Sequence, residues 1–245
     1  MSDIKRIGVI GTGVITSAVV EGIAGDGHRI TVSERSADKA ARLAEMFENV
    51  TVADNQRVLD QSDIVFLGLM AEAAPAILQE LTFRADQAII TVMAGASLAE
   101  VADMVAPARA AAIMMPFPGI ARGGSPIMMQ GDVAFVQSLF APRNTVFALK
   151  DAAEMQAYLC AQAVLSPAAR MVADAADWLA QRVDDPVQGE AFLRTLVASS
   201  LANQATGPLI DALNTPGGYN QRLRQHMEAA GMGRDLAEGL NKLEG

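Results

Sequence analysis

The sequence predicts an α/β domain with a doubly wound parallel sheet, followed by an all-α domain. Three observations lead to this prediction. The first half of the chain alternates short β-branched runs with helix-like segments, whereas the second half places its apolar residues at helical spacing. Hydrophobic residues make up 51% of the chain but aromatic residues only 4%, so aliphatic side chains must build the core. We place the boundary near residue 148, which gives domains of residues 1–148 and 149–245.

The strands of the first domain are predicted from runs that are apolar on both faces. In chain order these runs are RIGVIG, RITVSE, VTVA, DIVFLGL, QAIITVMA and ARAAAIMM. Helices are predicted between them, from about Thr16 and over ADKAARLAEMF, APAILQEL and SLAEVADMV. Strands buried on both faces and separated by helices are typical of a parallel sheet covered on both sides. After the loop PFPGIARGG we expect two more short strands, SPIMMQ and TVFAL.

The second domain is predicted to be helical because its apolar residues recur at the i, i+3/i+4 and i+7/i+8 positions. One such face contains Met171, Val172, Ala175, Trp178 and Leu179, and another contains Leu193, Leu196, Val197, Ser200 and Leu201. Two strong apolar faces leave much apolar surface on a single chain. We therefore expect a homodimer or a higher homo-oligomer that assembles through these helices.

Composition excludes several classes of function. The formal charge of −9 argues against a nucleic-acid partner, because phosphate binding needs clustered Lys and Arg. Cys160 is the single cysteine, which excludes an intramolecular disulfide, and the two histidines, His28 and His226, do not form a Cys/His cluster at zinc-ligand spacing. Neither a leader nor a membrane-spanning apolar run is visible. We expect a cytoplasmic, metal-free protein with a small-molecule partner.

The stretch IGVIGTGVITSAVV predicts dinucleotide binding. Gly11 would allow the tight turn between the first strand and the first helix, and Gly13 would let the backbone approach a pyrophosphate. The free N–H groups of the helix N-terminus favour such an anion. The third position of the G-x-G-x-x-G pattern is Thr16, so we expect the helix and the strand to lie slightly farther apart. The first domain is therefore predicted to be of the Rossmann type.

The cofactor-binding candidates lie in this turn and at the ends of later strands. They are Gly11, Thr12, Gly13, Val14, Ile15, Glu34, Arg35, Ser36, Leu69, Met70, Ala94, Gly95 and Pro116. Glu34 would accept from the ribose 2′-hydroxyl of NAD, whereas Arg35 and Ser36 suit the 2′-phosphate of NADP. Alternatively, Arg35 is a solvated surface charge and Ser36 caps the next helix. NADP is slightly favoured over NAD.

A second glycine-rich turn occurs late in the chain, in LNTPGGYNQRL. Pro216 interrupts the preceding helix, and Gly217 and Gly218 remove side chains where something must come close. The helix that follows from about Tyr219 would offer unpaired N–H groups to an anion such as a carboxylate. The alternative is a glycine-rich break between two packed helices, with no ligand.

The order of these motifs resembles that of the pyrroline-5-carboxylate reductase family over nearly the whole chain. The motifs are GVIGTGVI, VSERSADK, SDIVFLGL, VMAGASL, MMPFPG and NTPGGYN, and the last is similar to the family's T-x-P-G-G-T-T block. The resemblance implies hydride transfer from NAD(P)H to a cyclic imine such as 1-pyrroline-5-carboxylate, giving proline. It also implies helices that interlock between two subunits and a Pro-Gly-Gly loop that closes over the imine.

The departures from the family pattern lie at the substrate end. Met70 and Ala71 stand where the family usually has Lys-Pro, and Phe117 separates the two prolines of the M-P-N-T-P motif, whose asparagine is lost. The stretch AVLSPAA replaces the family's S-G-S-G-P-A-Y. Tyr219 and Asn220 replace the threonine pair, so that an amide stands where a hydroxyl is expected to hydrogen-bond the imine nitrogen.

The resemblance gives Tyr219 and Asn220 as the catalytic candidates. The substrate-binding candidates are Ser166, Pro167, Pro216, Gly217 and Gly218. Ser166 and Pro167 form a good N-cap and N1 pair that would orient a carboxylate, or would only cap the helix. Tyr219 either fills part of the pocket or turns outward.

Two functions follow from these observations. The first is an NAD(P)H-dependent reductase of a cyclic imine or a related small imino or keto acid. It needs no general acid if the imine is already protonated, and the absence of lysine between Lys150 and Lys242 disfavours hydroxy-acid chemistry. The second is a catalytically degenerate dinucleotide-binding sensor or partner protein.

Overall fold

The computed structural model describes residues 4–244 and divides the chain into two compact units. The first unit ends at Met155 and the second begins at Gln156. The boundary near residue 148 that we expected from the sequence falls at the end of the last strand, just before the helix in which the two units join.

The first unit is built on one sheet, which contains eight strands in the described part of the chain. They are β1 (Arg6–Ile10), β2 (Arg29–Ser33), β3 (Val50–Ala53), β4 (Ile64–Leu67), β5 (Ala88–Thr91), β6 (Arg109–Pro116), β7 (Pro126–Gly131) and β8 (Thr145–Ala148). Their order in space is β3-β2-β1-β4-β5-β6-β7-β8. The strands from β1 to β6 are parallel, as predicted, but β7 runs antiparallel to β6 and carries β8 parallel to itself. The sheet is therefore mixed at one end rather than wholly parallel.

The helices of the first unit cover both faces of the sheet. They are α1 (Val14–Ala24), α2 (Ala37–Met46), α3 (Asn55–Asp60), α4 (Ala74–Leu78), α5 (Leu98–Val105) and α6 (Val133–Phe140), with a 3-10 turn at Pro118–Ala121. Side chains along β4 alternate between two cores: Phe66 packs with residues of α1 and α6, and Leu67 packs with residues of α3 and α5. Both faces of the sheet are thus covered mainly by aliphatic residues, as the composition predicted, with a few phenylalanines such as Phe66 among them.

Two helices of the first unit are additions to the predicted pattern. Asp54 caps α3 by accepting from the Arg57 N–H at 2.9 Å, and Asp132 caps α6 by accepting from the Phe135 N–H at 3.0 Å. Each carboxylate satisfies a donor that the helix start would otherwise leave unpaired. Such caps let a short segment form a helix without a long apolar periodicity.

The second unit is helical, as predicted. After α7 (Ala152–Ala161), in which the two units join, it contains α8 (Leu165–Ala180), α9 (Pro186–Asn203), α10 (Thr206–Ala212), α11 (Tyr219–Ala229) and α12 (Met232–Glu244). The two predicted apolar faces lie on α8 and α9, and several of their members are exposed on the single chain, among them Met171, Trp178, Leu196, Val197 and Leu201. Among the described residues, no helix is both long and apolar enough to cross a membrane.

The prediction that Ser166 and Pro167 begin a helix is wrong. The backbone is helical from α7 through a 3-10 turn at Gln162–Val164 into α8, and Ser166 lies inside α8 without a capping hydrogen bond. A proline clashes with the carbonyl four residues before it, which for Pro167 is Ala163. The backbone avoids this clash by tightening into the 3-10 turn, and the helical path continues through it. The free N–H groups that this cap was expected to present to a carboxylate are therefore not found here.

Candidate functional site

The predicted cofactor residues follow strands that end at the same edge of the sheet. Because β1 to β6 are parallel, their carboxyl ends lie side by side. The residues that follow these ends, or that end a strand, are Gly11 (β1), Glu34 and Arg35 (β2), Leu69 and Met70 (β4), Ala94 and Gly95 (β5) and Pro116 (β6). The chain leaves β1 for β2 and β3 on one side and then crosses to β4 on the other. Open α/β sheets bind their ligands at such a switch point.

The turn between β1 and α1 has the backbone that a phosphate-binding loop requires. Gly11 has a φ of +92°, and an added Cβ would overlap the carbonyl of Gly68. Its N–H donates to Ser33 Oγ at 2.8 Å, which ties the turn to the end of β2. At Gly13 the nearest atom that an added Cβ would meet among the described residues is Thr16 Oγ1, at 3.8 Å. The space above Gly13 is therefore open to a ligand.

Thr16 reinforces the turn. Its hydroxyl donates to the Gly11 carbonyl at 2.6 Å and accepts from the Gly13 N–H at 2.8 Å. Its methyl group lies where a Cβ on Gly68 would be, so the glycine after β4 makes room for it. We expected the missing third glycine to widen the gap between helix and strand. Thr16 is 1% exposed, and the missing side chain of Gly68 leaves room for its methyl group; the wider spacing stays a prediction.

The N-terminus of α1 is free to hold an anion. No acidic side chain lies in its first turn, and the N–H groups of Val14, Ile15 and Thr16 have no acceptor within the described chain. Unpaired donors and the helix dipole together favour a phosphate group. Thr12 has a different place: it is fully buried, and its hydroxyl lies 3.4 Å from the Ser33 carbonyl. This side chain supports the turn from beneath.

A cavity of about 270 Å³ opens beside the glycine turn. It is lined by Ile10, Gly11, Ser33, Arg35, Asn55, Leu69, Ala73, Ala76 and Ile77. Its volume and its mainly apolar lining, with Ser33, Arg35 and Asn55 as the polar side chains, suit a purine nucleoside. The structure thus brings together Gly11, Arg35 and Leu69 from the sequence-based set, whereas Glu34 does not line this cavity.

Sequence reasoning missed Asn55 and the start of α4. Asn55 comes two residues after the end of β3, at the same carboxyl edge as the predicted residues. Ala73 and Ile77 lie on or beside the short α4 that follows Met70. Asn55 could have been identified from its position after a predicted strand, since every parallel strand from β1 to β6 ends at that edge. No sequence pattern marked the lining formed by α4.

The surroundings of Ser36 bear on the choice of cofactor. Ser36 occupies the N-cap position of α2, as one alternative predicted, but its side chain makes no capping hydrogen bond. The hydroxyl is therefore available to another partner, next in the chain to Arg35 at the cavity. An arginine and a free hydroxyl together suit a phosphate monoester.

The Pro-Gly-Gly turn joins α10 to α11 in the second unit. Gly217 has a φ of +75°, and no atom of the described residues lies within 4 Å of a Cβ added there. Gly218 is the N-cap of α11, and the N–H groups of Tyr219, Asn220 and Gln221 have no acceptor within the described chain. Tyr219 is 89% exposed on the single chain. The turn therefore presents a helix N-terminus with three unpaired donors, as we expected from the sequence.

The second unit also contains an open apolar groove of about 760 Å³. Residues of α8, α11 and α12 line it, including Pro167, Met171, His226 and Leu236. Pro167 thus lies at the groove wall rather than at a helix start, and His226 lies beside it. Within residues 4–244, no three His, Cys, Asp or Glu side chains lie close enough to hold a metal ion.

Comparison with known proteins supports this description of the fold. Residues 6–95 match the family model described as NADP oxidoreductase, coenzyme F420-dependent. No curated protein matches the chain by sequence. The structure is similar to 1-pyrroline-5-carboxylate reductase from Streptococcus pyogenes, with a TM-score of 0.82 at 22% identity, covering 99% of this chain and 98% of that one.

Two further solved structures extend the comparison. Plasmodium falciparum pyrroline carboxylate reductase with NADP bound matches with a TM-score of 0.80 at 14% identity, over 98% of this chain and 95% of that one. A reductive aminase from Aspergillus terreus in complex with NADPH and ethyl-5-oxohexanoate matches with a TM-score of 0.58 at 20% identity, over 99% and 92%. The resemblance inferred from the motifs is confirmed at the level of structure: the chain has the fold of the pyrroline-5-carboxylate reductases.

Proposed function

We propose that this protein is an NADPH-dependent reductase of a cyclic imine, such as 1-pyrroline-5-carboxylate, or of a related small imino or keto acid. The observation that carries the proposal is the glycine turn, whose open space above Gly13 and unpaired α1 donors form a cradle for a pyrophosphate. The fold shared with reductases of this type supports it. An enzyme that reduces 1-pyrroline-5-carboxylate makes proline, so a cytoplasmic role in proline synthesis belongs to the same proposal.

The residues present fit a bound NADPH. The N–H groups of Val14, Ile15 and Thr16 would hold the pyrophosphate, and the cavity beside Gly11 would take the adenosine. Arg35 would hold the 2′-phosphate together with the Ser36 hydroxyl, which makes no capping hydrogen bond. When bound, NADPH supplies the hydride. The protein then has to orient the cofactor and the imine and to keep water out.

The substrate side of the proposal rests on the Pro-Gly-Gly turn. Reduction of a protonated imine moves a hydride to carbon and requires no proton from the protein. The nitrogen of the substrate, however, needs a hydrogen-bond partner. We propose that Asn220 supplies this partner through its amide and that the exposed Tyr219 ring shapes the pocket. The unpaired N–H groups at the start of α11 would receive a carboxylate where the substrate has one.

The proposal includes a homodimer assembled through the second unit. The groove lined by Pro167, Met171, His226 and Leu236 is open and apolar, and Trp178 on α8 and Phe192 on α9 are about 60% exposed. Apolar surface of this kind is characteristic of a protein interface. Light scattering at micromolar concentration should give the mass of a dimer or a larger oligomer. A monomer mass would contradict this part of the proposal.

The test of the function is turnover with matched substrates. The purified protein should oxidise NADPH faster than NADH in the presence of 1-pyrroline-5-carboxylate, and 1-pyrroline serves as the substrate without a carboxylate. Tight NADPH binding without turnover of either imine would favour the alternative, a dinucleotide-binding sensor. A preference for 1-pyrroline would agree with a reductase. It would indicate that the enzyme does not select for a carboxylate, because no helix begins at Ser166 to bind one.

The cofactor assignment has its own variant. We predict that Arg35→Ala raises the Kd for NADPH by about tenfold, because one charge-assisted hydrogen bond contributes about 1.5 kcal/mol at an exposed site. The Kd for NADH should stay within about twofold, since NADH has no 2′-phosphate. Fluorescence titration of both cofactors measures this. Equal weakening of the two would place Arg35 away from the 2′-phosphate.

A further inference from the structure

A hydrogen-bonded network of three side chains holds the Pro-Gly-Gly turn in place. Gln221 Oε1 accepts from the Gly217 N–H at 2.8 Å, and its Nε2 donates to Asn214 Oδ1 at 3.1 Å. Arg224 Nη2 donates to the same Asn214 oxygen at 2.8 Å. Arg224 is itself held by Glu228, one turn along α11, at 2.7 Å. The network therefore runs from the end of the preceding segment, across the turn, to the body of the helix.

The network does not occupy the N–H groups at the start of α11. Gly217 has a left-handed backbone, and its N–H donates to the Gln221 side chain, which belongs to the first turn of α11. Without Gln221 this N–H would be unpaired. The Gly218 N–H is taken by the Thr215 carbonyl at 2.9 Å. The donors of Tyr219, Asn220 and Gln221 have no acceptor within residues 4–244. The side chain of Gln221 is thus directed away from the helix start, back across the turn, and does not occupy the anion position.

We propose that Gln221, with Asn214 and Arg224, positions the Pro-Gly-Gly turn so that the Asn220 amide and the unpaired N–H groups of α11 are pre-oriented for the substrate. The proposal rests on the proposed function. The side chain of Gln221 does not itself touch the substrate; it acts through the geometry of Gly217 and of the helix start. A turn with two glycines has many accessible backbone conformations, and fixing one of them removes an entropic cost from binding and from the reaction.

The variant that tests the proposal is Gln221→Met, which keeps the length of the side chain and removes its hydrogen bonds to Gly217 and Asn214. Gln225→Met is the matched control, because it makes the same change on the same helix at an exposed residue with no described side-chain partner. We expect Gln221→Met to lower kcat by about tenfold, since a displacement of about 1 Å at a positioned group can cost about a hundredfold. The Kd for NADPH should stay within about twofold.

A conservative variant separates positioning from general structure. Gln221→Glu keeps an oxygen acceptor for the Gly217 N–H but cannot donate to Asn214. We expect it to restore part of the kcat lost in Gln221→Met. Equal kcat in Gln221→Met and Gln225→Met would overturn the proposal, as would an equal loss of activity and of NADPH binding in Gln221→Met.

Hydrogen exchange tests the network independently of activity. The Gly217 amide should exchange about tenfold faster in Gln221→Met than in the wild type, and it should be protected again in Gln221→Glu. Unchanged exchange of Gly217 would overturn the network itself. If the wild type reduces no imine, the proposed function fails, and the exchange measurement still decides whether Gln221 holds the turn.

Discussion

The pairing of Thr16 with Gly68 gives a prediction whose size follows from the structure. In Gly68→Ala the added Cβ would overlap Thr16 Cγ2 and would lie 2.7 Å from the Gly11 carbonyl oxygen. Overpacking a well-packed site costs about 1–3 kcal/mol. Because the Gly11 oxygen is a backbone atom that cannot rotate away, we expect the upper end, about 3 kcal/mol. In a chain of this length that corresponds to a fall in Tm of about 6–12 °C.

The matched control for Gly68→Ala is Gly25→Ala. Gly25 ends α1 with an ordinary φ of −69°, and in the part of the chain that the structure describes nothing lies within 4 Å of a Cβ added there. Differential scanning calorimetry of the two variants should show a large fall in Tm for Gly68→Ala and a shift within about 0.5 kcal/mol for Gly25→Ala. The displaced turn should also weaken NADPH binding in Gly68→Ala alone.

A double variant tests whether Thr16 is the cause. Thr16→Ser removes the methyl group but keeps the hydroxyl that bonds Gly11 and Gly13. In that background Gly68→Ala should cost about 1 kcal/mol less than in the wild type, and the remaining cost should come from the Gly11 oxygen. If Gly68→Ala destabilises no more than Gly25→Ala, or if its cost is unchanged when the Thr16→Ser substitution is also present, the reasoning about this contact is refuted.

Two more predictions concern stability away from the candidate site. Burial lowers the pKa of His28. The contribution of His28 to stability is therefore complete above a pH of about 6.5 and declines as the pH falls, because the unfolded chain takes up the proton first. His28→Gln should flatten the decline in Tm between pH 7 and pH 5.5, and an unchanged slope would contradict this role of His28. Gln87, 1% exposed, donates to the Leu59 and Ser62 carbonyls at 2.7 and 3.0 Å and accepts from the Arg84 N–H at 2.8 Å. Gln87→Leu should cost about 2 kcal/mol in urea unfolding, because Arg84 still bonds both carbonyls; a loss below about 0.5 kcal/mol would show that the buried groups find other partners.

The sequence predicted the parts of the fold that repeat a simple pattern. The strands from β1 to β6 are marked by apolar runs, and Gly11 and Gly13 mark the turn at which a nucleotide would bind. The direction of β7 was not predictable, because a short apolar strand has the same side-chain pattern whether it runs parallel or antiparallel to its neighbour. The short helices α3 and α6 depend on single capping carboxylates rather than on periodicity.

The candidate site was less predictable because it depends on contacts between distant residues. Gly68 accommodates Thr16 from another strand end, and Asn55 joins the cavity from β3. The cap proposed at Ser166 followed the preference for serine at the N-cap and proline at the next position. The preceding helix, however, continues through a 3-10 turn, so no helix begins at Ser166. The network around Gln221 left no sequence signal, since its members are common surface residue types.

In the proposed reaction a hydride passes from NADPH to the carbon of an imine. The most direct measurement uses NADPH carrying deuterium at the transferable C4 position, with 1-pyrroline-5-carboxylate or 1-pyrroline as acceptor and mass spectrometry of the product. We predict a reduced amine that is one mass unit heavier than the product made with ordinary NADPH, with deuterium on the former imine carbon. NADPH that binds and stays reduced with both imines, or a product without deuterium, would contradict this claim.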